Sequence, residues 1–464
     1  MNSESDAVKV LLASAGAPDE KAETERRLIE LVTSASSSAV EIGLAGSRID
    51  PMAVTSLLST SHKQFTAQSK DQPYDSTEHM QVASLAAANT LAHYEDAWSY
   101  FAQASRSLLA GEYDIARHLL YYSELRATIS IMSRQGVVVR SKSHMILTKD
   151  AVEFHSGLGT HTAIWIAFKA WMKTSPARSL ILNRLKISGV PLKDWLEADD
   201  TYGESESMVE ILQLAGYDLK EHANDQGRRN SSSYGSRHLR PQVNDRRPNW
   251  FAEELEELWQ MLLPVGDTSF QLFDTAFGSL LLTKRRKSKG KATGREKYRP
   301  YLVDLANSLS ALTPESTADQ IVNLARDEGI GNLFRFVAPG QREVAEPGHE
   351  LLAMVVRSIF LLRLASASVE DLIEKSGCSP KQFDFWFAQV GSTHALWAEN
   401  DDTTYAELIE TCLAQSVEVN ELASSDSFVS FVRSSAALTH GSTSFALGTL
   451  LVRHNYDDDL PAIA

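Results

Sequence analysis

In "FVRSSAALTHG" six residues separate Arg433 from His440. On a helix that spacing puts both side chains on one face, two turns and about 10 Å apart along the axis. A histidine with an ordinary pKa near 6.5 can take a proton from a ribose 2′-hydroxyl while an arginine steadies the adjacent phosphate. The chemistry such a pair offers is metal-free RNA cleavage, with Arg433 and His440 as the candidate catalytic residues. Arg342 and His349 have the same spacing, but Pro347 and Gly348 interrupt the helix that would align them.

A second chemistry is phosphate binding. Lys284, Arg285, Arg286, Lys287, Lys289, Lys291, Arg295, Lys297 and Arg299 crowd into sixteen residues with one acid, Glu296. The run carries +8 in a chain of −15, which leaves −23 on the remainder. A nucleic acid would gain from it through counterion release. The alternative is a solvated loop docking on the protein's own acidic surface. "SVEDLIEKSGCSPKQFDFWFAQV", within 368–390, has the shape of a helix-turn-helix, with Gly377 at the turn and Pro380 opening the second helix. That second helix offers Lys381 and Gln382 to DNA, but then Asp384, Phe385, Trp386 and Phe387, so a structural helix pair competes with base readout.

His144, His155 and His161 match no zinc spacing, and "GLGTHT" lacks the lysine and full pattern of a phosphate loop. No metal site and no cofactor is read from the chain.

The elements that must position these residues are helical. In "HYEDAWSYFAQASRSLL", Tyr94, Trp98, Phe101, Ser105 and Leu108 recur at three- and four-residue steps. Gly111 ends that helix and Asp114 caps the next, on which Ile115, Leu119, Tyr122, Leu125, Ile129 and Met132 make one stripe until Gly136. The short connection predicts an antiparallel hairpin. Tyr122 is expected in the core, with Tyr121 and Glu124 off the stripe beside Arg117 and Thr128. "GVVVRSKSHMILTKDAVEFHSG" alternates and is β-branched, which predicts two or three short strands around a turn at "TKDA". A helix over "GTHTAIWIAFKAWMK" follows, with Ile164, Phe168 and Trp171 on one face.

The expected fold is mainly α: multi-domain helical bundles with one small β-hairpin near 137–155. The divisions read from composition are a helical region at 1–90, the hairpin with its β element and helix at 91–223, and a flexible loop at 224–248 rich in Gly, Ser, Asn, Pro and Arg. Amphipathic helices at 249–283, the basic linker at 284–300 and a helical domain at 301–464 complete the chain. The net charge argues against a general nucleic-acid coat. Two cysteines, Cys378 and Cys412, build no disulfide framework, which fits a cytoplasmic protein. The most apolar run, "LLAMVVRSIFLL", is broken by Arg357, so no membrane partner is expected.

"LLAGEYDIARHLLYYSELRATISIMSRQGV" resembles the helical hairpin of HEPN-superfamily proteins, in which a Gly-x-Tyr turn precedes a helix with a Tyr-Tyr pair and then a glycine. "GTHTAIWIAFKAW" is similar to a tract in prokaryotic proteins of that kind. The resemblance covers about a sixth of the chain, residues 94–171. It implies a helical scaffold in a toxin–antitoxin or anti-phage setting, and the Arg/His spacing at Arg433 and His440 matches that superfamily's ribonuclease pattern. The leading expectation is a non-enzymatic interaction or nucleic-acid-associated component of a prokaryotic defence system. RNA or DNA would bind at the basic linker, and a protein partner or a second copy would assemble with it. The alternatives are a HEPN-like ribonuclease and a DNA-binding regulator.

Overall fold

The computed structural model describes residues 18–46, 76–140, 143–198, 208–214, 270–288 and 349–377, with the isolated helical positions 222, 225, 227, 304, 305 and 307. These residues are mainly α, as expected. In chain order the helices are α1 (Pro18–Thr33), α2 (Ser37–Gly46), α3 (Ser76–Leu109) and α4 (Tyr113–Arg134), then strands β1 (Val137–Val138), β2 (Ser143–Leu147) and β3 (Val152–Ser156). Helices α5 (Thr160–Trp171) and α6 (Ser175–Arg184), strands β4 (Lys186–Ile187) and β5 (Val190–Pro191), and helices α7 (Leu192–Ala198), α8 (Met208–Leu214), α9 (Gln271–Ser288) and α10 (His349–Ser376) follow.

α3 and α4 form the expected hairpin and share the largest contact in the fold. Gly111 turns the chain at φ +75° and Gly136 ends α4 at φ +85°, both left-handed positions that glycine takes without strain. The cap position of α4 falls on Glu112 rather than Asp114. Asp114 sits in the first turn instead, where a carboxylate complements the helix dipole, and pairs with Arg117 at 3.2 Å. Small residues let the two helices approach, and serine hydroxyls bridge them. Ser123 donates to the Ala97 carbonyl at 2.9 Å and Ser130 to the Thr90 carbonyl at 2.6 Å.

The faces of α4 differ from the periodic reading. Tyr121, Glu124 and Thr128 are fully buried, Leu119 and Tyr122 only half-buried, and Ile115 is exposed. Leu125, Ile129 and Met132 are buried as expected. The reason is that α4 is a central helix. α3, α5 and α10 all pack on it, so from Leu120 onward almost its whole circumference is inside. A helix covered on several sides needs no single apolar stripe, and polar residues then enter its buried faces with partners.

The β element forms as expected, a three-stranded antiparallel sheet in the order β1-β2-β3, with the β2–β3 turn at Thr148–Asp150. α5 buries Ile164, Phe168 and Trp171, as its pattern predicts. α2 crosses α3 where Gly43 meets Ala83, so closely that a Cβ on the glycine would lie 2.4 Å from the Ala83 carbonyl carbon. The basic run does not begin as a linker: Lys284, Arg285, Arg286 and Lys287 lie on the last turns of α9, continuing a helix anchored by Phe273, Phe277, Leu281 and Leu282. The segment read as a loop from 224 includes helical, buried Asp225, held there by an ion pair with Arg357.

α10 runs unbroken through Arg357 to Ser376, and Gly377 follows at φ +64°. The first helix of the expected helix-turn-helix, with Val369, Leu372 and Ile373, is therefore the end of a 28-residue core helix. By length and composition α10 is long and apolar enough to cross a membrane, and 94% of its most apolar stretch is buried inside the protein. One hydrophobic cluster, from Leu28 to Ile373, links these elements.

Candidate functional site

Three charged side chains of α10, Arg357, Arg363 and Asp371, are buried, and each pairs with residues outside that helix. Arg363 meets Asp274 of α9 with Nε and Nη2, both at 2.9 Å, and Nη2 also donates to the Arg184 carbonyl at 2.6 Å. The Lys186 N–H donates to the same carboxylate at 3.1 Å. Burial pushes the Asp274 carboxyl above its ordinary value, against the pull of Arg363. Asp371 is shared among Arg134, Arg184 and Lys375. Burial works against the charged form of Asp371, but Arg134 and Lys375 hold its carboxyl below the usual range.

The third, Arg357, joins a group in which a histidine and two carboxylates converge, Glu124, His222 and Asp225. Glu124 of α4 contributes one carboxylate, with Oε1 3.3 Å from Arg357 Nε and Oε2 3.1 Å from His222 Nδ1. Arg357 Nη2 pairs with Asp225. His222 and Asp225 are three residues apart, which places them on one helical face. The His222 ring lies flat on Trp165 of α5, with centroids 3.9 Å apart and an interplanar angle of 6°. Glu124, His222 and Asp225 are at most 1% exposed and Arg357 is 3% exposed. Glu124 Oε1 is buried and makes no hydrogen bond, its contact with Arg357 being an ion pair alone.

The same two helices build the neighbouring part of the site. Tyr121 lies three residues before Glu124 on α4, and His161 four residues before Trp165 on α5. The Tyr121 hydroxyl is 2.8 Å from His161 Nδ1, and their rings stack at 5.7 Å. Tyr122 continues outward, against Tyr100 at 5.5 Å and His118 at 4.9 Å. Buried carboxylate, imidazole and guanidinium thus pass into a half-buried aromatic ledge. Chemically the inner part can orient an imidazole, hold a proton on it, or collect oxygen and nitrogen ligands around a cation.

Of the residues singled out from the sequence, Arg433, His440, Lys381 and Gln382 lie outside the described residues, as do Lys289, Lys291, Arg295, Lys297 and Arg299. His144 and His155 are cross-strand partners with rings stacked 5.9 Å apart, yet their nitrogens go elsewhere. His144 Nδ1 accepts from the Arg140 N–H while its Nε2 faces the Leu158 carbonyl at 3.0 Å, so the ring is neutral, and burial keeps its pKa low. His155 Nε2 lies 2.8 Å from the Thr24 carbonyl. His161 belongs with Tyr121, not with the other two. The three histidines are thus distributed among separate polar contacts.

Sequence reading missed His222, Asp225 and Arg357. The first two carried a signal, a His-x-x-Asp step in "EHAND", hidden by the loop-like composition that begins at Asn224. The third carried one too, since a lone arginine inside a run with ten apolar residues must find a buried acid. No protein-family model, no curated protein and no solved structure matches the chain.

Proposed function

We propose that the protein is a non-catalytic, nucleic-acid-associated interaction component of a prokaryotic defence system, built as a helical core that presents a basic arm. The carrying observation is that four of the nine clustered cations, Lys284 to Lys287, ride the end of α9, whose preceding turns are anchored in the core. Cations at a helix C-terminus are favoured by the dipole. The remaining chain is net acidic, which favours this run as the contact with a polyanion. The defence setting rests on the resemblance of the α3–α4 hairpin to HEPN-superfamily proteins.

The test is fluorescence anisotropy with mixed-sequence RNA and duplex DNA across a salt series. Affinity falls steeply between about 50 and 200 mM salt, and replacing Lys284, Arg285, Arg286 and Lys287 together with glutamine lowers the salt slope by about one for each residue that touches a phosphate. An unchanged slope and affinity in that variant would overturn the reading.

A further inference from the structure

We propose that Glu124, His222 and Asp225 form a binding site for a divalent transition-metal ion, with Arg357 ion-paired to both carboxylates beside it. One ligand atom from each of the three residues lies within 4.8 Å of the other two. Ligands around a zinc-sized ion at about 2.1 Å stand roughly 3.4 Å apart in a tetrahedral arrangement, so shifts of about an ångström complete the site. A donor set of one imidazole nitrogen and two carboxylate oxygens suits zinc, manganese or iron(II). The inference stands apart from the nucleic-acid reading, because the site lies in the core rather than on the basic arm.

Two observations beyond proximity point to a cation. The first is Glu124 Oε1, fully buried at this centre and without a hydrogen bond. The second is the fixing of His222 by Trp165. Stacking face to face leaves the imidazole reachable only in its plane, where Nδ1 already points at Glu124 Oε2. In the contact with Glu124 the Nδ1–H donates to the carboxylate; on metal binding Nδ1 gives up that proton, the ring keeps one on Nε2, and the freed Nδ1 lone pair turns to the metal. Arg357 then acts as the group that orients the carboxylates, the role that outer hydrogen-bonding partners play at metal centres.

The experiment uses the full chain, stripped with EDTA and titrated separately with Zn2+, Mn2+ and Co2+. One equivalent binds, with a rise in the unfolding midpoint as mass action requires. Asp225→Asn weakens binding tenfold or more, while Ile115→Ala, on an exposed position, leaves it unchanged. Uptake that Asp225→Asn leaves untouched is binding elsewhere and overturns the proposal. Should Asp225→Asn fail to fold, the wild-type Co2+ spectrum decides: visible bands of a low-coordinate nitrogen/oxygen site support it, and the spectrum of aqueous cobalt defeats it. Absence of stoichiometric uptake of all three ions reduces the centre to a buried ion-pair cluster.

Discussion

Arg363 and Arg357 sit six residues apart on α10, and their surroundings are built on opposite plans. Arg363 meets one carboxylate with two parallel hydrogen bonds, adds a backbone carbonyl, and lies 5.1 Å over the Phe270 ring. The geometry toward Asp274 is the bidentate fork that arginine favours, and Glu370 adds a looser ion pair at 3.7 Å. Arg357 is pulled between two carboxylates on different segments, one of which also engages a histidine and keeps an oxygen without a hydrogen bond. The first plan fixes the position of α10 against α9. The second gathers an imidazole and two carboxylates around one guanidinium, the donor types that hold a cation. One helix thus carries both an anchor and a candidate centre, and only partner geometry tells them apart.

The largest effect expected is at the anchor. Arg363→Met strands the Asp274 carboxylate in the core, and removal of one member of a buried pair costs about 3–5 kcal/mol. Adding Asp274→Leu should restore much of that loss, since an apolar pair of similar volume replaces the ions. Urea denaturation of both variants measures it. Should the single and double variants prove equally unstable, the pair would be packing more than charge, and the contrast with Arg357 would lose its basis.

The next sharpens the comparison by supplying its limit, a buried acid with no partner at the critical atom. Glu95 Oε2 on α3 is buried without a hydrogen bond, and burial, helped by neighbouring Asp96, pushes the carboxyl from an ordinary 4.5 up to about 8. Between those values the folded chain keeps a proton that the unfolded chain has released. Stability therefore falls as pH rises through the window, at about 1.4 kcal/mol per pH unit from this group alone. Glu95→Gln removes the slope. It should be near neutral at pH 4.5 and stabilising at pH 8, read from urea curves of wild type and variant at both values. Parallel pH profiles would contradict it.

What the sequence disclosed follows from how local each signal is. Gly111 and Gly136 mark turns that glycine alone makes easily, and both lie at positive φ. The alternation from Val137 to Ser156 reports strands because side chains on one pleated face repeat every second residue. The α4 faces were misread because a stripe count assumes one buried side, whereas α3, α5 and α10 surround that helix. The start of the basic run passed for a linker because composition outweighed the helical continuity from Phe273. The Glu124 centre was out of reach for a different reason. Its members are separated by 98 residues between Glu124 and His222 and 132 between Asp225 and Arg357, and only tertiary packing joins them.

The smallest effect tests whether the aromatic ledge belongs to the centre or to the core. Tyr121 is fully buried, and its hydroxyl meets half-buried His161 at 2.8 Å, one helical turn from Glu124 and Trp165 on the two helices concerned. Tyr121→Phe removes only that oxygen. A neutral hydrogen bond of this kind contributes about 0.5–1.5 kcal/mol net, far below the loss expected at Arg363. Because α5 also positions Trp165 on His222, loosening His161 should relax the far end of the same helix while leaving the ligand atoms of Glu124, His222 and Asp225 in place. The expected outcome is a small drop in urea midpoint and a shifted ring-nitrogen resonance of His161, with metal affinity unchanged. A tenfold loss of metal affinity in Tyr121→Phe would instead join the ledge to the ion site, and the line between the two halves of the constellation would have to be redrawn at His161.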